Sequence, residues 1–146
     1  MIQRVQSIFL LLAAAAAFAL FAFSFASTPS SVATSELFAD GQYNLSDNIA
    51  LLILFCLAGG LAFISIFMFK NRKTQLLVGR LAIVANIIGL VLAIALFMQD
   101  KDKLGAVDPE DGIGLYLPFL FLVFALLAAR FIGKDEKLVK SMDRLR

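Results

Sequence analysis

Four stretches of this chain are nearly free of charge and each is about as long as a bilayer is thick. They run over Ser7–Ala26, Ile49–Phe69, Leu76–Met98 and Ile113–Ile132. A helix needs about 20 apolar residues to cross about 30 Å of hydrocarbon. Buried strands of soluble proteins are far shorter, and none of the stretches alternates as an outer-membrane barrel strand does. The pattern therefore predicts four transmembrane helices. Composition agrees with it: of 146 residues, 61% are hydrophobic and 16% charged, too few polar side chains to cover a water-soluble core of this size. The expected fold class is all-α, an integral membrane four-helix bundle in one domain, residues 1–146, closed by a short amphipathic C-terminal helix over residues 133–146.

The first stretch also resembles a secretory signal peptide, because Arg4 precedes it and Ser24-Phe25-Ala26 ends it. Its apolar part from Ile8 to Ala26 exceeds the roughly 7–15 residues of a signal core. A retained span is the expectation.

Lys and Arg are divided unequally between the two ends of the predicted bundle. Eleven of the thirteen (Arg4, Lys70, Arg72, Lys73, Arg80, Arg130, Lys134, Lys137, Lys140, Arg144 and Arg146) flank one end, and Lys101 and Lys103 flank the other. Because every connection is short, the positive-inside rule places both termini in the cytoplasm. Eight of the eleven acids lie on the opposite side. The basic end is expected to meet anionic lipid headgroups, and no nucleic acid, since its charges flank spans.

Several chemistries are excluded by residue type. The chain has no histidine and one cysteine, Cys56, which leaves no His-based zinc site, disulfide, haem ligation or iron–sulfur cluster. Cys56 in an apolar run reads as a small core residue. The connection Asp100–Asp111 partly matches a twelve-residue calcium loop, but Leu104 stands at a ligand position, two lysines intrude and the closing Glu is missing, so a solvated acidic turn is expected. Asn44-Leu45-Ser46 is formally a glycosylation acceptor. No metal, cofactor or catalytic residue is assigned.

Membrane helices associate where small residues allow backbones to approach, so such residues mark the expected packing faces. Helix one carries Ala15, Ala19, Ala22 and Ala26; helix two Ala58, Ala62 and Ser65; helix three Ala82, Asn86, Gly89 and Ala93. Asn86, the one strong amide deep in a span, is expected to face helix one or two, with Ser65 as a partner. The absence of intramembrane Asp, Glu, Lys and His argues for packing over transport. Pro118 reads as the start of helix four. In the tail, Leu138, Met142 and Leu145 fall at helical spacing opposite Lys134, Lys137, Lys140 and Arg144, a face for lipid or for a partner.

"MIQRVQS" at the start, "FKNRK" between helices two and three, "GLYLPFLFL" opening helix four and the closing "KDEKLVKSMDRLR" resemble the bacterial membrane family of domain of unknown function 4293 across the whole chain. The resemblance implies a four-span inner-membrane protein of the Bacteroidetes type and carries over no catalytic or binding residue. The functional expectation is a non-enzymatic accessory or scaffold subunit of a membrane assembly, with a membrane-protein partner or further copies of itself. The alternative is a small oligomeric transporter or channel.

Overall fold

The computed structural model describes residues 2–105 and 107–143, with side chains over 5–105 and 107–139 and at Ser141. Four helices make up most of it: α1 (Ile2–Ala19), α2 (Ile49–Phe67), α3 (Arg72–Lys101) and α4 (Leu117–Asp143). Each packs chiefly on two neighbours, in the cyclic order α1, α2, α3, α4. Contacts of Arg72 with Asp135 and of Asn86 with Pro118 run in opposite chain directions, so α3 and α4 are antiparallel. The molecule is the all-α bundle expected from the apolar runs.

The centre of the bundle is built mainly from alanine. Ala13, Ala14, Ala16 and Ala17 of α1 meet Ala58 and Ala62 of α2, Ala82 and Ala85 of α3, and Phe121 and Ala125 of α4. Without a hydrophobic drive between helices in lipid, close backbone approach and dispersion contacts hold them together. The outer faces are the reverse of a soluble protein's. Ile53, Leu57, Ile64, Leu77, Leu81, Val84, Ile88, Val91, Val123 and Leu126 are all exposed. Among the described residues, three helices are long and apolar enough to cross a bilayer, and α1 is a shorter apolar helix.

Helix one departs from the sequence expectation. Its α-helix ends at Ala19 instead of continuing to Ala26. The chain tightens through i→i−3 hydrogen bonds at Leu20, Phe21 and Ala22, then extends into β1 (Ala26–Ser27), the middle strand of a small antiparallel sheet with β2 (Gln42–Tyr43) and β3 (Glu110–Asp111). The extended backbone finds partners on both sides: Phe25 N–H donates to the Tyr43 carbonyl, while Gly112 and Gly114 donate to the carbonyls of Phe25 and Ser24. A Cβ at either glycine would collide with the Ser24 carbonyl. The aromatic-rich 21–25 segment is as suited to a strand as to a helix, and these partners decide between them. Its helix-one stripe moves accordingly: Ala15 is exposed, Ala26 lies in the sheet, and the buried face is Gln6, Leu10, Ala13, Ala14 and Ala17.

The tail departs as well. Helix α4 runs through Gly133 to Asp143 without a break, so the amphipathic segment continues the fourth helix and is not a separate element. Pro118 sits second in α4, where its missing N–H costs nothing. Arg144 and Leu145 lie outside the described residues, as do the side chains of Lys140 and Met142.

Candidate functional site

The polar side chains that the bundle buries are distributed in three tiers, each joining separate elements. At the end carrying the chain termini, Gln6 of α1 is buried and its Nε2 donates to Asp135 Oδ2 of α4 at 3.0 Å. Arg72, at the start of α3, donates from Nη1 to the Asp135 carbonyl at 3.1 Å and lies 3.7 Å from its carboxylate. One residue thus ties three helices. A turn further in, Ser65 Oγ donates to the Gln75 carbonyl at 3.2 Å, and Gln75 Nε2 donates back to the Ser65 carbonyl at 3.1 Å. The two bonds clasp α2 to α3 beside their short connection, where Asn71 caps α3 by accepting from Thr74 N–H.

Asn86 forms the middle tier. It is fully buried, and its Nδ2 donates to the Pro118 carbonyl at 3.1 Å. It therefore faces α4 and not α1, α2 or Ser65 as expected from the sequence, because Ser65 is already engaged by Gln75 well below it. Asn86 Oδ1 is buried with no hydrogen-bond partner among the described residues. Gly89, one turn on, faces α2: a Cβ there would stand 3.1 Å from the Phe55 ring. Ala58, Ala62 and Ala82 share the alanine core, and Ala93 lies in the adjoining outer cluster with Leu51, Phe55 and Tyr43.

The outer tier is a cap over the bundle, made by residues 24–47. Tyr43 is buried under it and its hydroxyl donates to the Ala93 carbonyl of α3 at 3.1 Å. Burial, with the Asp47 carboxylate adding to it, pushes the phenol above its ordinary value, so it remains a donor. Asp100, at the end of α3, accepts from Ser35 Oγ and from Leu37 N–H at 3.0 Å, and pairs with Lys103 Nζ at 2.7 Å. Phe38, completely buried, is wedged edge-on against Phe97. The first acid of the calcium-like loop is thus committed to protein partners, and Glu110 and Asp111 are strand residues. Among the described residues no three acids, cysteines or histidines are grouped to hold a metal.

Of the tail residues picked from the sequence, Leu138, Lys134 and Lys137 are exposed on α4. The tail's contact with the bundle is made instead by Ile132 and Asp135, both buried. Sequence reasoning missed Gln6, Gln75, Asp100 and Asp135, all of which lie at the margins of apolar runs. Their signal was position: a polar residue just beyond the end of an apolar run, on the same helical face as the small residues.

Neither curated proteins nor solved structures give a match to the chain. A family model does, over residues 2–145, and the chain belongs to the family described as domain of unknown function 4293.

Proposed function

We propose that the protein is a non-enzymatic multi-pass protein of a bacterial inner membrane, with both termini cytoplasmic, serving as an accessory or scaffold subunit of a membrane assembly. The observation that carries this reading is how the buried polar groups are spent. Gln6, Ser65, Gln75, Asn86, Tyr43, Asp100 and Asp135 each bond to another helix or to the cap, an arrangement that fixes helices in place. A scaffold requires that rigidity. The exposed Leu138 and Val139 beside Lys134 and Lys137 give the tail a surface for lipid headgroups or for a membrane-protein partner.

One observation favours a transporter or channel: the partnerless Asn86 Oδ1 in the bundle interior, since polar groups inside a membrane mark solute paths. Two measurements separate the readings. Purification in mild detergent should recover a stoichiometric partner from the native membrane, and Leu138→Ser with Val139→Ser should abolish recovery without changing the melting temperature. Loss of solute flux in vesicles on Asn86→Leu, with no partner recovered, would replace the scaffold reading by the transporter.

A further inference from the structure

Between α3 and α4, at the end that carries the chain termini, lies a groove of about 850 Å³. Its apolar wall includes Leu76 and Phe131, and four cations line it: Arg80 from α3, and Arg130, Lys134 and Lys137 from α4. The last three stand at i, i+4 and i+7, which stacks them on one helical face. Among the described residues none of the four is in an ion pair. Glu136 is the one acid on the described lining.

Depth separates the four cations into two pairs. The contact of Arg72 with Asp135 sets a level common to both helices. Eight residues along α3 place Arg80 about 12 Å from that level toward the bundle centre, and five along α4 place Arg130 about 7.5 Å. Lys134 is at the level itself and Lys137 lies outside it. The backbone positions of the two arginines thus lie nearer the bundle centre than those of the two lysines, in a groove whose wall includes Leu76 and Phe131. Isolated arginines so placed would only snorkel; two facing one groove form a seat for phosphate, whose oxygens match the guanidinium fork.

We propose that this groove binds an anionic phospholipid with two phosphodiester groups, acyl chains lying along the exposed faces of α3 and α4. Charge complementarity selects it: four cations against one acid exceed what one phosphodiester neutralises, and Arg130 to Lys137 spans about 10 Å of helix, more than one phosphate can reach. Gly133 leaves the seat open. It lines the groove midway among the cations, and a Cβ added there meets nothing within 4 Å.

The inference rests on the bundle lying in a bilayer, as proposed above. The test uses the full chain in detergent, with cardiolipin, phosphatidylglycerol or soluble pyrophosphate added, reading lipid retained by native mass spectrometry and the shift in melting temperature. Cardiolipin should be retained at least tenfold over phosphatidylglycerol. Arg80→Gln with Arg130→Gln should remove that preference, and Gly133→Leu should remove it while leaving the lipid-free melting temperature unchanged or higher. Lys101→Gln, at the opposite end, should keep it. Equal retention of the two lipids, preference surviving Gly133→Leu, or equal stabilisation by pyrophosphate would overturn the site. Failure of the protein to enter cardiolipin vesicles at all would overturn the membrane reading with it.

Discussion

Asn86 and Gly89 lie one turn apart on α3 yet do different work. The amide gains one interhelical bond, worth about 0.6–1.7 kcal/mol in a membrane protein. It also buries an acceptor without a partner, which costs about 1–3 kcal/mol. The two terms nearly cancel. Asn86→Leu is therefore expected to change stability by less than about 1 kcal/mol, whereas sequence alone suggests a clear loss. Gly89→Leu must push into the buried Phe55 ring, and overpacking of this kind costs about 1–3 kcal/mol or more. Thermal unfolding in detergent checks the pair; a larger loss for Asn86→Leu than for Gly89→Leu would show that Asn86 Oδ1 is bonded in the folded protein. The presence of Asn86 on a packing face is legible in sequence, but its partner is not. The Pro118 carbonyl is a backbone group, and nothing in the sequence shows which neighbouring helix brings one within reach.

At the scale of elements, apolar run length locates all four helices, but it does not locate where α1 stops. Residues 20–26 are as hydrophobic as the helix before them, and the choice of extended backbone depends on partners far along the chain, at Tyr43, Gly112 and Gly114. The cap is hidden for the same reason: Ser35 and Asp100 are 65 residues apart. Two substitutions test this reading. Gly114→Ala puts a Cβ into the Ser24 carbonyl, and Asp100→Asn weakens bonds from Ser35, Leu37 and Lys103. Hydrogen bonds to a charged group contribute about 1.5–3 kcal/mol, so local opening of the cap should become about tenfold more frequent or greater. Proteolysis of the 28–41 segment in detergent should accelerate by that factor in each variant. Unchanged cleavage would mean that the cap is held by Phe38 and Tyr43 alone.

For the whole molecule, polar groups hold the two ends and the middle of a bundle whose interior is alanine and whose exterior is apolar. In water such a surface would aggregate, since exposed apolar patches on a soluble monomer rarely exceed a few hundred Å². In a bilayer the same surface is solvated by lipid, and the tiers of hydrogen bonds supply the specificity that hydrophobic burial cannot supply there. In the arrangement proposed above, this bundle crosses the membrane with its cap on one side and the Asp135 end on the other. Cysteine accessibility tests it most directly, because Cys56 is the one native cysteine. In a Cys56→Ala background, Ser31→Cys in the cap and Lys137→Cys in the tail, both at exposed positions, are treated with a membrane-impermeant maleimide in right-side-out vesicles. The expected result is labelling of the cap cysteine at once and of the tail cysteine only after permeabilisation. Labelling of both before permeabilisation, or of the tail alone, would rule out that arrangement.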